Sequence, residues 1–155
     1  MTVFIFVLAL VSLTAAPAHK KLKVKVNYTG AGIVDEKHKV YVMLFDANPF
    51  TASKLEDDSS AATPPVPAEG VSHILRRESA SSKNGAITFT DLSISPVYAA
   101  AFFDKNGSYD GHSDPVPGSP MGVYGKAMDK AEPITLGAGK TAEVVLAFDD
   151  SIKTP

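Results

Sequence analysis

Apolar and polar residues alternate along much of this chain, which is the pattern of β-strands with one buried face. In KLKVKVNY, residues 21–28, every second side chain is apolar and lysine fills three of the positions between them. In HKVYVMLFDA, residues 38–47, both faces are apolar from Val40 to Phe45, which indicates a central strand. Six further stretches have the composition of strands: VSHILRRE, GAITFTDL, PVYAAAFFD, MGVYGKAM, PITL and TAEVVLAFD.

The strand count and the turn residues predict the fold class. No stretch after residue 18 keeps a helical period, and seven or eight short strands in one domain predict an all-β fold, a Greek-key β-sandwich. Asn84-Gly85 marks a turn, and Gly137-Ala138-Gly139 predicts a terminal hairpin between PITL and TAEVVLAFD. Residues 54–70 mix acidic, serine, alanine and proline residues and are predicted to form a long exposed loop.

The strand in PVYAAAFFD is predicted to be central. Three consecutive alanines leave room for large neighbours, while Phe102 and Phe103 supply bulk on opposite faces. We therefore expect the loss of one of these rings to destabilise the fold strongly.

The first 18 residues have the features of a secretory signal peptide. Val3 to Leu13 form an apolar run too short to span a bilayer, and Ala16 and Ala18 are the small residues of a cleavage site. Cleavage before His19 leaves one domain, residues 19–155, that is secreted or periplasmic and has no transmembrane span. Alternatively, Thr2 to Val11 is retained as a strand that pairs with the sheet edge of a neighbouring molecule in an extracellular assembly.

Composition excludes several functions. The chain has no cysteine, which excludes disulfides and thiol chemistry, and its net charge of −2 does not favour nucleic acid. GAGKT, residues 137–141, lacks the first glycine of a phosphate loop, since Ile134 stands there, and it joins two predicted strands. The four histidines have no zinc-site spacing.

Residues 104–114 carry the strongest signal of a site. Asp104, Asn106, Ser108, Asp110 and Asp114 place hard oxygen donors, which suit calcium, among two glycines. The position of the bidentate glutamate of a calcium loop is Pro117, and the same residue types also build ordinary turns. The segment is predicted to be a structured connection first and a calcium site second, and no other cofactor is predicted. Asn106 also begins one of two glycosylation sequons, the other beginning at Asn27, which matter only in a glycosylating host.

The stretches PVYAAAFFDKNGSYDG and GSPMGVYGK resemble a family of secreted bacterial single-domain proteins of unknown function. The positions that match are Tyr98, Ala99, Asp104, Asn106, Gly107, Gly118, Pro120, Tyr124 and Gly125. This chain departs from that family at Ser95-Pro96-Val97, where a glycine is usual, and in a longer Asp/Asn loop. The resemblance implies a sandwich similar to transthyretin (prealbumin) and to the accessory domains of carboxypeptidases, with no established activity. The C-terminus DDSIKTP lacks the Tyr-Arg-Gly-Ser motif of transthyretin-like enzymes that hydrolyse hydroxyisourate.

These observations predict a non-enzymatic binding module that contacts a protein or envelope component through loops at one end of the sandwich. The residues predicted to bind are Asp104, Asn106, Asp110, His112, Asp114 and Tyr124. The alternative is a small secreted hydrolase that uses His112 with Asp110 or Asp114. The sequence does not decide the oligomeric state.

Overall fold

The computed structural model describes residues 19–50 and 73–155. The predicted signal peptide at 1–18, the retained strand at 2–11 and the predicted loop at 54–70 lie outside the described residues. In the two described ranges, no helix has the length and apolar character needed to cross a membrane.

In the described ranges seven strands form two sheets, which confirms the all-β sandwich. A single turn of 3₁₀ helix, Met128–Lys130, precedes the last strand. The strands are β1 Lys20–Tyr28, β2 Val40–Phe45, β3 Ile74–Ala80, β4 Ala86–Leu92, β5 Tyr98–Phe103, β6 Met121–Val123 and β7 Thr141–Phe148.

The three-stranded sheet has the order β4-β1-β7. Strand β1 runs antiparallel to β4 and parallel to β7. The predicted terminal hairpin is therefore wrong, because β7 pairs with β1 and not with PITL. Of PITL, Ile134 forms an isolated bridge with Val97, and Leu136 donates its backbone N–H to Ser95 Oγ. Both apolar residues of PITL pack on the core from a connecting segment, which produces the same alternation as a strand.

The four-stranded sheet has the order β3-β2-β5-β6, with antiparallel pairing throughout. The central position predicted for β5 is confirmed, since it lies between β2 and β6. Phe103 faces the main core and Phe102 faces outward against Tyr41, so the two rings lie on opposite faces as predicted. Both rings are nonetheless buried, which means that each face of β5 is covered.

The main core fills the space between the sheets with the inward residues of all strands but β6. Tyr28 ends β1 with its ring 5.0 Å from those of Phe103 and Phe148, and its hydroxyl donates to Asp150 Oδ1. Burial, reinforced by this hydrogen bond, raises the pKa of Tyr28 to about 12. Asp150 also accepts the backbone N–H of Ala31, so one carboxylate ties the end of β1 to the chain beyond β7.

The C-terminal segment, residues 152–155, pairs with the chain that leads into β6. The backbone N–H of Met121 donates to the carbonyl of Ile152, and Thr154 exchanges backbone hydrogen bonds with residues 118 and 119. The Thr154 hydroxyl donates to the carbonyl of Val116 at 2.8 Å. The edge of the four-stranded sheet is therefore covered by the end of the chain.

Candidate functional site: an apolar groove on the outer face of the four-stranded sheet

The outer face of the four-stranded sheet is apolar from β2 to β6. Residues that oppose each other on neighbouring strands share a face, so the register places the outward side chains in rows. The rows across β2, β5 and β6 are Tyr41–Phe102–Met121 and Met43–Ala100–Val123, followed by Phe45–Tyr98 on β2 and β5. A sheet face in contact with water is usually polar, so this face is built to be covered.

A groove of about 870 Å³ lies over the middle row. Ala100 lies at the deepest point of its floor, only 1 % exposed, and its methyl group is the smallest outward side chain of the row, between the larger Met43 and Val123. Phe102 and Phe45 rise on either side of this floor because they belong to the neighbouring rows. The volume is in the range of sites for small molecules, and the lining is mainly apolar.

The walls of the groove come from four separate parts of the chain. Phe50 follows β2, and Met128 lies on the 3₁₀ turn. Residues 113–117 and the C-terminal segment 152–155 form the remaining wall and supply nearly all of its polar groups. These two segments are joined by the hydrogen bond from Thr154 to Val116, so the polar groups gather at one end.

Methionine is concentrated at this groove. The chain has four methionines, and the three beyond Met1, at positions 43, 121 and 128, all line it. Methionine is unbranched and polarizable, and it is common at surfaces that adapt to apolar ligands. The clustering therefore supports a binding role for the face.

An aromatic cluster covers the outer face of the sheet in the row Tyr41–Phe102, next to the groove. Tyr109 packs its ring edge against Tyr41 and Phe102, with centroid separations of 4.7 and 4.8 Å. Burial raises the pKa of both tyrosines. The Tyr109 hydroxyl and Arg77 Nε are buried without a hydrogen-bond partner among the residues that the structure describes, which is unusual for polar atoms.

Asp104 holds the loop that carries Tyr109. Its side chain is 2 % exposed, and its two carboxylate oxygens accept the backbone N–H groups of Gly107 at 3.0 Å and Tyr109 at 2.9 Å. Gly107 has φ +63°, and a Cβ there would meet the side chain of Lys37, so glycine is required at this position. Asp104 thus directs both oxygens into its own loop.

Asp110 organises the next turn in the same way. Its Oδ1 accepts the backbone N–H groups of His112 and Ser113 and the Ser113 hydroxyl, each at 2.8 Å. These hydrogen bonds lower the pKa of Asp110 to about 2. The two acidic residues at the centre of the predicted calcium loop are therefore engaged by backbone amides, as in an Asx turn.

No metal centre is assembled in residues 19–50 and 73–155, where no group of three or more acidic or histidine side chains is placed to hold an ion. Asn106 and Ser108 are exposed, and their side chains form no hydrogen bonds to the loop in the described part of the chain. The calcium hypothesis receives no support from this geometry and stays a prediction.

His112 does not form a relay with either predicted acidic partner. Its Nδ1 lies 3.0 Å from the backbone carbonyl of Asp110, and Ser113 Oγ donates to the Asp110 carboxylate. The other three histidines each place Nδ1 beside an aspartate, within 2.7 to 3.0 Å, at exposed positions. The hydrolase alternative stays a prediction without a nucleophile in these contacts.

The predicted binding residues separate in the structure. Of the six, Asp114 alone lines the groove. Tyr124 packs against the main core. Asp104 and Asp110 shape the loop, while Asn106 and His112 are exposed. The residues that make the groove, above all Ala100 and the methionines, were missed, although a strand apolar on both faces was a signal that something covers it.

No family model, curated protein or solved structure matches this chain.

Proposed function

We propose that this chain is an exported, non-enzymatic β-sandwich module that binds an apolar ligand or envelope component in the groove over Ala100. The observation that carries the proposal is a groove of about 870 Å³ on an apolar sheet face, with methionines at three positions of its lining. The sequence features of a signal peptide support export, and the resemblance to secreted bacterial single-domain proteins is in keeping with export but carries no activity. The sequence predicted a site on the loops at one end of the sandwich, whereas the proposed site lies on the outer face of the four-stranded sheet. Asp114 belongs to both sites.

The test is binding of a neutral fluorescent naphthylamine probe to the purified exported protein. Ala100→Leu adds three carbon atoms to the floor of the groove and is expected to weaken probe binding at least about tenfold, because the added atoms occupy the volume of the ligand. Ala147→Leu is the matched control, since Ala147 is exposed on the outer face of the other sheet. Its binding is expected to equal that of wild type.

Folding of each variant is checked by circular dichroism and thermal melting before binding is measured. If Ala100→Leu does not fold, Met128→Gln provides the second variant, because it places an amide in the groove wall on a 3₁₀ turn outside both sheets. Equal probe binding by the wild type and by a folded groove variant would overturn the proposal.

The hydrolase alternative is separated by activity. Wild-type turnover of ester or glycoside substrates that is lost in His112→Ala would defeat the non-enzymatic proposal. We expect no turnover in either protein, because His112 has no acidic partner at Nδ1 and no nucleophile among its described contacts.

A further inference from the structure

We propose that the groove takes a single-chain amphiphile with a zwitterionic head group, the apolar chain lying over Ala100 and the head group lying between Asp114 and Lys153. This inference rests on the proposed function and names its ligand class. Three observations carry it: the apolar end of the groove, the polar end, and the charges at the polar end.

The described side chains at the apolar end of the groove offer no hydrogen bonds to a ligand. This end is formed by Phe45, Phe50, Met43 and Ile74, and the floor continues over Ala100. A ligand with polar groups along its whole length would leave them unsatisfied there, which costs free energy. A flexible alkyl chain has no such groups, and the methionines can adapt to it.

The polar end is built by residues 113–117 and 152–155, where Ser113, Asp114, Lys153 and Thr154 line the groove. The Thr154 hydroxyl is already used by the carbonyl of Val116, and the Ser113 hydroxyl by Asp110. The side chains left to meet a ligand are therefore the two charged ones.

Asp114 and Lys153 carry opposite charges, and neither forms an ion pair or a side-chain hydrogen bond among the described residues. Hydrogen bonds from the Tyr28 hydroxyl and the Ala31 N–H lower the pKa of Asp150, and the charge of Lys153 adds to this effect without forming an ion pair with it. Lys105, the other ammonium close by, donates to the carbonyls of Pro117 and Gly118. A head group with one cation and one anion complements both free charges, whereas a head group of one sign is repelled by one of them.

The probes are four amphiphiles that share a decyl chain: decylphosphocholine, decyl maltoside, decyl sulfate and decyltrimethylammonium. Binding to the purified exported protein is measured by calorimetry below the micelle concentration of each. Decylphosphocholine is expected to bind with one molecule per protein and about three- to tenfold more tightly than the other three. Each methylene removed from its chain is expected to weaken binding about fourfold.

Two variants assign the charges. Lys153→Gln is expected to weaken decylphosphocholine and decyl sulfate by about three- to fivefold and to leave decyltrimethylammonium unchanged or tighter. Asp114→Asn is expected to weaken decylphosphocholine and decyltrimethylammonium by the same factor and to leave decyl sulfate unchanged or tighter. Lys130→Gln, at an exposed position outside the groove, is the control for a general change of charge and is expected to change none of the affinities.

The outcomes distinguish this inference from the proposed function. Equal affinity for all four decyl amphiphiles, with loss in Ala100→Leu, overturns the zwitterionic head group and retains the groove. Absence of binding by all four and by the neutral probe overturns both. Binding to phosphatidylcholine vesicles without binding to monomeric decylphosphocholine shows a lipid surface as the partner and also overturns the inference.

Discussion

The outer face of the three-stranded sheet carries lysine, threonine and glutamate, whereas the outer face of the four-stranded sheet carries aromatic residues and methionine. On the first, Lys23 and Lys25 both contact Glu143 across the β1–β7 pair. On the second, Tyr41 stacks on Phe102 with centroids 5.4 Å apart. Both sheets share one core, so the core does not explain the difference. What differs is the covering on the outside.

The four-stranded sheet is covered by segments that belong to neither sheet. The loop after β5, the 3₁₀ turn and the C-terminal segment lie over its outer face and form a partial third layer. Where the described part of that layer is incomplete, the apolar face is left as a groove. The comparison therefore teaches that, among residues 19–50 and 73–155, the groove is a gap in a covering layer with a β-sheet as its floor.

The largest expected loss of stability comes from a substitution on the outer face of the four-stranded sheet. Phe102→Ala should lower the free energy of unfolding by about 3 to 5 kcal/mol, because the ring is 1 % exposed although it faces away from the core. Val145→Ala, at a side chain 57 % exposed on the other outer face, should change it by no more than about 0.5 kcal/mol. Urea denaturation measures both. Equal small losses would mean that the two outer faces are alike.

The next largest loss of stability is expected at Asp104, which holds the loop after β5. Asp104→Ala should destabilise the fold by about 1 to 3 kcal/mol, because the backbone N–H groups of Gly107 and Tyr109 lose their acceptors. Asn106→Ala, two residues away and exposed, is the control and should stay near wild type. Should Asp104→Ala melt like its control, the loop would be held by its aromatic contacts alone.

A smaller loss of stability is expected at the end of β1, where Tyr28 is tied to the chain beyond β7. Tyr28→Phe removes the hydrogen bond to Asp150 and should cost about 0.5 to 1.5 kcal/mol at neutral pH. The folded-state pKa of Tyr28 is raised from 10.0 to about 12, so its contribution is complete below pH 10 and is lost as the pH rises toward 12. Denaturation at several pH values should show a steeper alkaline loss for wild type than for Tyr28→Phe. Parallel curves would contradict this assignment.

On the outer face of the three-stranded sheet, the change in stability should be near the limit of detection. Hydrogen bonding and charge from Lys25 and Lys23 lower the pKa of Glu143, so its contribution is present above its ordinary value of 4.5 and is lost as the pH falls. Since Glu143 is exposed and screened by solvent, Glu143→Gln should melt within error of wild type at pH 7. A clear drop in melting temperature that disappears in high salt would show that this face is held by its charges.

The smallest expected effect is that of calcium. Millimolar calcium should leave the melting temperature unchanged in wild type and in Asp110→Ala, because the oxygens of Asp104 and Asp110 are bound by backbone amides. A calcium-dependent rise in wild type that Asp110→Ala abolishes would establish the loop as a metal site. It would also show that the covering layer is stabilised by an ion.

The sequence predicts what depends on neighbouring residues along the chain. The alternation in β1 and the two apolar faces of β2 follow from local period, and both strands were predicted. The pairing of β7 with β1 could not be read from Gly137-Ala138-Gly139, because a turn signal does not state which strand the chain joins next. The groove depends on register in the same way, since Ala100 becomes its floor only when Phe102 and Phe45 are placed in the neighbouring rows.

The sequence predicted which residue types the loop carries but not which groups their carboxylates bind. Asp104 and Asp110 have the donors of a calcium loop, and the same carboxylates also suit backbone N–H groups. Which partner they take depends on whether the loop folds down on Tyr41 and Phe102 through Tyr109. That contact joins residues distant in the sequence, so it has no local signature.

The parallel pairing of β1 with β7 has a consequence for how the molecule forms. Lys23 and Glu143, which meet across this pair, are 120 residues apart, so the middle strand of the three-stranded sheet waits for the last strand of the chain. Contacts of such long range slow folding, because the closing of a large loop precedes any gain from packing. Synthesis proceeds at about 5 to 20 residues per second, so β4 is the one described strand beside β1 for several seconds after both have emerged. A chain whose three-stranded sheet is still incomplete stays unfolded enough to pass through an export channel. This agrees with the export that we propose.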